Sequence, residues 1–351
     1  MWQFAEHLPI RDRAHIISLG EGNTPVCDLG HNLFLKLESL NPTGSYKDRF
    51  ASCAVSWMKS EGKTRCLATS SGNTGAALAA YCARASISCT VFLVETTPEG
   101  KTAQMLAHGA KLKRVREFGL SSEVTAGVME RLRRRASSGD AALLISAFAF
   151  SPAGMEGVKT IAYELAGQLN EIDDIFIPVG GGGLLTAVFQ GFRELFRAAR
   201  LRKMPRIHAV QPEGCATVTG PLERGESLAA SVRCTSGISG LQVPNVIDGQ
   251  SALEAVRAVG GTGQTVSDSA IFAAQEDLSR RGAYCEPAGA AGYAGYLQAL
   301  KRGIVTKDNR TVCLITGHGF KDPDSIRRIV AGRAVPSVGA DDLFGGENEC
   351  E

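Results

Sequence analysis

Short apolar runs alternate with stretches of helical spacing along most of this chain. The apolar runs predict strands at 66–68, 89–94, 143–146, 175–179, 207–211 and 312–316. The stretches between them predict helices at 76–83, 101–107, 157–169 and 184–192. This alternation is typical of an α/β fold, in which helices cover both faces of mostly parallel sheets. Ligands of such sheets bind at the carboxyl ends of the strands, so the loops there are the first place to look for chemistry.

A lysine stands in one short polar turn ahead of a helical stretch. The turn is NPTGSYKDR at 41–49, and its lysine is Lys47. An amine nucleophile needs a rigid, partly buried setting, because only a lowered pKa leaves free amine at neutral pH. A lysine held in this way can form a Schiff base. A solvated lysine at the start of a helix would give the same local pattern, so the turn needs support from the rest of the chain.

The loop TSSGNTG at 69–75 lies between a predicted strand and an alanine-rich helix. Loops of this kind direct backbone N–H groups and hydroxyls at one point beside the positive end of a helix, which suits a carboxylate. An N-cap by Asn73 or Thr74 is the simpler interpretation. Capping accounts for one polar residue but not for a row of polar and glycine positions, so we expect this loop to bind a ligand.

A second loop follows the strand at 175–179 and consists of four consecutive glycines, Gly180 to Gly183. Without side chains the backbone can approach a ligand closely, and the dipole of the next helix favours an anion, so the loop predicts a phosphate cradle. Its spacing is not the dinucleotide fingerprint Gly-x-Gly-x-x-Gly, and it lacks the Lys-Ser or Lys-Thr of a nucleotide P-loop. A monophosphate therefore fits it better than ATP.

Together, a Schiff-base lysine, a carboxylate loop and a monophosphate cradle predict pyridoxal 5'-phosphate as the cofactor. At this point the chain resembles the fold-type II, tryptophan-synthase-like pyridoxal-phosphate enzymes. NPTGSYKDR, SSGNTG, PVGGGGL and LITGHGFKD carry the resemblance, which runs from about Gly20 to Asp322. Threonine synthases are the closest likeness, through LGEGNTP at 19–25, KLE at 36–38 and TGHGFKD at 316–322.

The resemblance implies a role for each residue of these motifs. Lys47 would be the catalytic residue and carry the Schiff base, and Asn73 would donate a hydrogen bond to the phenolic oxygen of the cofactor. The substrate carboxylate would lie among Ser70, Ser71, Gly72 and Thr74. The cofactor phosphate would lie on Gly180, Gly181, Gly182, Gly183 and Leu184. Thr316 would meet the pyridine nitrogen, and because its hydroxyl is neutral we expect a weaker electron sink than a carboxylate partner would give.

The resemblance also implies two domains, each a mostly parallel sheet flanked by helices. The smaller would span 48–152, and the larger would combine 1–47 with 153–332. The polar end of the chain, 333–351, predicts a flexible tail. The resemblance further implies a homodimer.

One segment departs from the threonine synthases. In the threonine synthases this segment usually reads Asn-Ser-x-Asn-Pro-x-Arg-x-x-Gly-Gln-Lys-Thr and reaches the phosphate of the substrate O-phosphohomoserine. This chain instead reads FAFSPAGMEGVKT at 148–160. Gly154 replaces the arginine, Phe148 and Ala149 replace two polar residues, and Leu184 stands where that family tends to have asparagine. Losing a bidentate guanidinium costs about 1.5–3 kcal/mol or more. This argues against O-phosphohomoserine, and the apolar residues at 148–150 would suit a substrate without phosphate.

We therefore predict a carbon–oxygen lyase that acts at the β or γ carbon of a small amino acid, by elimination or by replacement with a second, nucleophilic substrate. A serine or threonine dehydratase is the alternative, and the four glycines together with CEPAGA at 285–290 favour it. A different class is also open: an inactive relative that binds the cofactor or an amino acid as a sensor. The run GISGLQVP at 237–244 matches neither enzyme, and we expect it to line the cofactor, although a surface turn explains it equally well.

Composition adds mainly exclusions. The chain has 351 residues and a net charge of +2, and its basic run Arg131 to Arg135 has the pattern of a solvated helix face, so we expect no nucleic-acid partner. No apolar run reaches the ~18 residues of a membrane span. Ten cysteines without a C-x-x-C pair suggest reduced thiols and a cytoplasmic protein. Six histidines without metal spacing predict no metal site, with His318 as a turn residue.

Overall fold

A computed structural model describes residues 1–70, 72–95, 97, 102–119, 121–137 and 139–339. Strands and helices alternate along them, and parallel sheets are flanked by helices, so the predicted α/β class is confirmed. The described strands form two separate sheets. Where one predicted domain ends and the next begins stays a prediction.

The larger sheet has six strands in the order β1-β2-β10-β7-β8-β9. They are β1 (Val26–Asp28), β2 (Leu33–Lys36), β7 (Asp174–Pro178), β8 (Arg206–Pro212), β9 (Gly263–Val266) and β10 (Thr311–Leu314). β1 pairs with β2 antiparallel, and the other pairings are parallel. β7, the strand that leads to the four glycines, is buried along its whole length, as expected for a continuous apolar run in a parallel sheet.

The smaller sheet has four parallel strands in the order β5-β4-β3-β6. They are β3 (Arg65–Thr69), β4 (Ser88–Leu93), β5 (Lys111–Arg114) and β6 (Ala141–Leu144). The helix α2, which follows β3, contributes a row of small buried residues to the core of this region.

Twelve α-helices lie within the described residues. They are α1 (Lys47–Ser60), α2 (Asn73–Arg84), α3 (Ala103–Ala107), α4 (Ser122–Ser137), α5 (Pro152–Val158), α6 (Thr160–Gln168), α7 (Gly183–Arg197), α8 (Thr219–Glu223), α9 (Gly249–Ala258), α10 (Asp268–Arg280), α11 (Pro287–Lys301) and α12 (Pro323–Ile329). Short 3₁₀ turns occur at Trp2–His7, Arg13–His15, Glu38–Leu40, Glu213–Cys215 and Gly319–Lys321. The basic run in α4 exposes Arg131, Arg133 and Arg134, as predicted for a solvated face.

Several predicted boundaries differ from the structure, and three of them bear on the path of the chain near the lysine and the strand ends. The helix predicted at 157–169 is two helices, α5 and α6, and the Thr160 hydroxyl donates to the Gly157 carbonyl at 2.6 Å between them. A side-chain bond of this kind competes with helical backbone bonding and bends helices. The strand predicted at 143–146 lies two residues earlier, and β10 ends before Thr316. Ser146 and Thr316 therefore stand in loops at strand carboxyl ends.

A buried ionic network anchors the start of α1. The Arg49 guanidinium donates to Glu38 at 2.7 Å and to Glu164 at 2.6 Å, and the Lys36 ammonium donates to Glu164 at 2.8 Å. All four side chains are buried. Burial is the largest single influence and raises the pKa of Glu164, but the hydrogen bonds and charges of Arg49 and Lys36 together outweigh it and lower this pKa to about 2. The network fixes the backbone two residues beyond Lys47.

Most cysteines pack as small core residues, as the sequence predicted. Nine of them lie in the described residues, all as free thiols, and seven are buried. Three of the buried thiols, those of Cys66, Cys82 and Cys89, lie within 4.8 Å of one another beneath the smaller sheet. No helix in the described part of the chain is long and apolar enough to cross a membrane.

Candidate active site

A cleft of about 1510 Å³ lies between the two sheets. Loops that follow β3, β6, β7 and β10 all reach it, so strand carboxyl ends from both sheets meet there. Of the predicted site residues, the cleft is lined by Lys47, Ser70, Gly72, Asn73, Thr74, Gly180, Gly181, Gly182, Gly183, Leu184 and Thr316. Ser71 lies outside the described residues. The structure thus brings the predicted residues that it describes to one place, and their individual roles stay predictions.

Lys47 is the first residue of α1 and is half-buried. Its ammonium donates to the Ser146 hydroxyl at 2.9 Å and lies 4.4 Å from the centre of the Tyr46 ring. The Tyr46 N–H donates to the Thr316 carbonyl at 3.1 Å. The side chain of the lysine is therefore held from the smaller sheet, and the backbone of the residue before it is held from the larger one.

The loop after β3 leads into α2 and lines the cleft. The Ser70 hydroxyl accepts from the N–H of Gly72 at 3.2 Å and of Gly75 at 2.9 Å, so it holds the loop's own backbone. This capping role falls to Ser70, not to Asn73 or Thr74 as the simpler interpretation of the sequence had it. The Asn73 amide instead donates to the Glu286 carboxylate at 2.6 Å across the cleft.

The glycine loop has the properties of a cradle for a monophosphate. At Gly182, where φ is +98°, a β carbon would lie 2.7 Å from the backbone of Asp248. At Gly180 it would lie 3.1 Å from the Gly240 carbonyl. At Gly183 it would meet the Asp248 carboxylate at 2.9 Å. Side chains are thus kept out, and α7 begins here with backbone N–H groups that have no partner inside the helix. The donor set fits the phosphate of pyridoxal phosphate.

Thr316 is 5% exposed and lines the cleft beyond the end of β10. A neutral hydroxyl at this position fits a pyridine nitrogen that is left unprotonated. The neighbouring Gly317 has no room for a side chain, because a β carbon there would lie 2.0 Å from the Glu286 carboxylate. The predicted turn residue His318 does form a turn, since its ring nitrogen accepts from the Phe320 N–H at 3.3 Å.

The segment that departs from the threonine synthases turns its apolar residues away from the cleft. Ala147 is the last residue of this part of the chain that lines the cleft. Phe150 packs under the Arg133 guanidinium at 5.2 Å, and Ala149 is exposed. Gly154 is buried, and a β carbon there would lie 2.6 Å from the Phe50 ring. The expectation that residues 148–150 provide an apolar substrate surface is therefore wrong.

Three residues of the site escaped the sequence analysis. Ser146 holds Lys47, Glu286 pairs with Asn73, and Asp248 accepts the Phe148 N–H at 2.7 Å. The first two had a weak local signal, because Ser146 ends a predicted strand and Glu286 precedes the proline that opens α11. In the run 237–244, Gly237 and residues 239–244 line the cleft beside the glycine loop, and their contact with the cofactor stays a prediction.

Two further ionisable groups lie near the lysine turn. Burial raises the pKa of Asp48 to about 7, although its carboxylate accepts the Thr43 hydroxyl at 2.8 Å. Burial lowers the pKa of Lys321, which lines the cleft and donates to Gln104. Near Lys47 there are therefore an acid, Asp48, and a base, Lys321, whose ionised forms are less stable than they would be in water.

Comparison with known proteins agrees with this site. The family model "Pyridoxal-phosphate dependent enzyme" matches residues 17–317. The chain is 33% identical to threonine synthase of Methanocaldococcus jannaschii, over 93% of this chain and 82% of that protein. It is 34% identical to threonine synthase of Mycobacterium tuberculosis, over 95% of this chain and 90% of that protein.

Solved structures of similar fold include maize serine racemase, with a TM-score of 0.71, 23% identity and coverage of 87% of this chain and 90% of that one. They also include O-ureido-L-serine synthase, with a TM-score of 0.69, 21% identity and coverage of 92% and 96%. At these identities the likeness shows the fold alone. With the matches of the family model and of the threonine synthases, the chain belongs to the pyridoxal-phosphate dependent enzymes of fold type II, as a lyase whose cofactor is pyridoxal 5'-phosphate.

Proposed function

We propose that the protein catalyses elimination or replacement at the β or γ carbon of a small α-amino acid whose leaving group is not phosphate. The observation that carries this proposal is the position of Lys47. Its ammonium stands in one cleft with Ser70, residues 72–74 and the glycine loop, and the Ser146 hydroxyl holds it at 2.9 Å. A lysine placed among a carboxylate loop and a phosphate cradle suits a substrate that presents its α carbon to the amine.

Each wall of the cleft has a part in this proposal. When bound, pyridoxal phosphate supplies a sink for the electrons released at the α carbon. Lys47 would hold the cofactor covalently, and its free amine is the base that we assign to the α proton. Gly180 to Gly183 would hold the phosphate, and Thr316 would face the ring nitrogen. Gly72 and Thr74 would receive the substrate carboxylate, and Ser70 holds the backbone of their loop.

The surroundings of Gly154 argue against a phosphorylated substrate. The Phe50 ring and the Ala54 methyl occupy the space next to this residue, with 2.6 Å and 2.8 Å to a β carbon. The backbone N–H groups of Phe148 and Ala149 already bond to a carboxylate, that of Asp248. A second anion at these amides would meet that negative charge. Lys321 lines the same cleft, but burial lowers its pKa and makes it a weaker partner for a dianion than an arginine.

A dehydratase is the second candidate, and the size of the cleft allows it. Ligand pockets commonly measure about 300–1,000 Å³, whereas this cleft measures about 1510 Å³. The excess leaves room for water beside a cofactor and a small amino acid. Water that reaches the product would release a keto acid and ammonia, whereas a closed site would favour replacement by a second substrate. One observation argues against a sensor without turnover: all the residues predicted to bind the cofactor line the cleft.

Absorbance between about 300 and 500 nm tests the proposal, because the cofactor reports its own state there. Serine, threonine, homoserine and their O-acetyl and O-phospho forms are added one at a time, with keto acid assayed in parallel. A response to plain hydroxy amino acids with keto acid release would identify a dehydratase. A response confined to O-acetyl esters would identify replacement. A response to O-phosphohomoserine alone would contradict our interpretation of Gly154, and no response to any would favour the sensor.

A further inference from the structure

Asp248 occupies an N-cap position without capping its own helix. It precedes α9, where an aspartate normally accepts an N–H group of the first turn. Here the side chain makes no cap hydrogen bond to α9. It is also only 6% exposed, so solvent does not compensate the carboxylate. A buried acid that leaves its own helix uncapped must be stabilised by other partners.

Those partners lie a hundred residues away in the sequence. The two carboxylate oxygens of Asp248 accept the N–H of Phe148 at 2.7 Å and the N–H of Ala149 at 3.1 Å. These residues directly follow the cleft-lining stretch that ends with Ser146 and Ala147. Holding their backbone fixes the hydroxyl of Ser146, which in turn accepts from the Lys47 ammonium at 2.9 Å.

The other side of Asp248 contacts the glycine loop. Its own N–H donates to the Gly181 carbonyl at 2.8 Å. Its carboxylate lies 2.9 Å from the place of a β carbon on Gly183. The same residue therefore contacts both the predicted phosphate cradle and the segment that holds the reactive lysine. Burial raises the pKa of the Asp248 carboxylate, and the backbone N–H groups of Phe148 and Ala149 and the positive charge of Lys47 oppose that rise.

We propose that Asp248 is a positioning residue that fixes Lys47 and the glycine loop relative to each other, so that one cofactor molecule can be held at both ends. The proposal rests on the proposed function, because it takes Lys47 and the glycines as the two attachment points. A carboxylate suits this task better than an amide. Its two acceptor oxygens match two neighbouring N–H groups, whereas asparagine would turn an NH₂ group toward one of them.

Two measurements on protein stripped of cofactor and then reloaded test this. The first is the dissociation constant for pyridoxal phosphate, from an absorbance titration. The second is the fraction of protein linked to the cofactor at Lys47 after borohydride reduction at saturating pyridoxal phosphate, from peptide mass. Loss of a hydrogen-bonded buried charge predicts weaker cofactor binding in Asp248→Ala, by about tenfold or more. We also expect the linked fraction to fall at saturation, which a purely structural role would not cause. Asp248→Asn should lie between Ala and the wild type.

The matched control is Asp173→Ala. The Asp173 carboxylate also accepts a backbone N–H of another segment, that of Arg310 at 2.8 Å, but it precedes β7 at the end of the strand opposite the glycine loop. This variant should keep both the wild-type dissociation constant and the linked fraction. Wild-type values in Asp248→Ala, or equal losses in both variants, would overturn the proposal. Absence of a Lys47 link in the wild type would instead refute the role of Lys47 itself.

Discussion

The two sides of the cleft were built under different constraints. The cofactor wall, which we define as Lys47, Gly180 to Gly183 and Thr316, follows the motifs of its family, and the protein packs tightly behind it. The substrate wall, a name that we use for residues 145–154, lines the cleft only as far as Ala147. From Phe148 onward it packs behind the cleft and departs from the threonine synthases. On the cofactor wall a β carbon at Gly182 would lie 2.7 Å from backbone, which cannot yield. On the substrate wall a β carbon at Gly154 would meet the Phe50 side chain.

The difference shows which part of a site can change. A backbone contact fixes a residue type, because no rotamer relieves it. A side-chain contact leaves room for paired substitutions, such as a smaller residue at 50 with a larger one at 154. We therefore expect the cofactor wall to tolerate few changes and the substrate wall to tolerate coupled ones.

The largest expected effect comes from removing the amine of the cofactor wall. Lys47→Ala should lose the covalent link to the cofactor, and turnover should fall by roughly 10²–10⁴-fold or more, because one residue supplies both the link and the base. Borohydride reduction with peptide mass and a keto-acid assay measure the two losses. The exposed Lys113→Ala is the control. Full turnover in Lys47→Ala with a bound, absorbing cofactor would refute the mechanism.

The support beneath the cofactor wall should be nearly as sensitive. Arg49→Met leaves Glu38 and Glu164 as buried charges without their main partner, so the free energy of unfolding should fall by about 3–5 kcal/mol. Urea unfolding followed by circular dichroism measures this. Arg65 pairs with Asp140 at 2.9 Å but is 59% exposed, and Arg65→Ala should cost less than about 1 kcal/mol. Equal losses in the two variants would show that the buried network contributes nothing special.

Gly182→Ala tests the rigid backbone contact of the cofactor wall. The added methyl group meets the Asp248 backbone and also forces a residue with a side chain to adopt a φ of +98°. We expect a loss of about 2–4 kcal/mol in the free energy of unfolding and weaker cofactor binding. Gly30 has a φ of +82° with no atom within 4 Å of a β carbon. Gly30→Ala should therefore show only the cost of the backbone strain. If both variants lose the same free energy of unfolding, the methyl group at residue 182 does not collide with the Asp248 backbone.

Gly154→Ala makes the corresponding test on the substrate wall. Overpacking against Phe50 and Ala54 should lower the free energy of unfolding by about 1–3 kcal/mol. Gly127 lies inside α4 with no atom within 4 Å of a β carbon, so Gly127→Ala should stabilise by about 0.4–1 kcal/mol. If Phe50→Ala does not relieve the loss in the double variant, the contact with Phe50 is not its cause.

The last effect concerns pH and is spread over several pH units, so only a part of it appears in any one unit. Burial raises the pKa of Asp48 from its usual 3.8 to about 7. Between these two pH values the folded protein keeps a proton that the unfolded chain releases. Its contribution to stability is therefore present below pH 3.8 and is lost as pH rises to about 7, with a slope of at most about 1.4 kcal/mol per pH unit. Asp48→Asn should flatten the dependence in urea unfolding between pH 5 and 8. An unchanged slope would contradict the raised pKa.

Local pattern was enough for part of this structure. Six of the ten described strands, four helical stretches and the three loops followed from apolar runs, glycine positions and helix starts. The contacts that complete the site were not local: 99 residues separate Lys47 from Ser146, and 213 separate Asn73 from Glu286. No periodicity in the sequence reports such pairs. The same holds for Phe148 and Phe150, because alignment with the threonine synthases suggested their place but could not tell which way the segment faces.

The glycine loop also bears on how this scaffold can evolve. If the phosphate is bound there by main-chain amides, the N–H groups that bind it are present in every amino acid except proline, and other mutations reach them only by distorting the chain. Affinity for the cofactor is then inherited almost independently of the side chains that choose a substrate. A lineage carrying this loop can explore new reactions on the opposite side of the cleft while the cofactor stays bound, so its chemistry can diversify without first losing its catalyst.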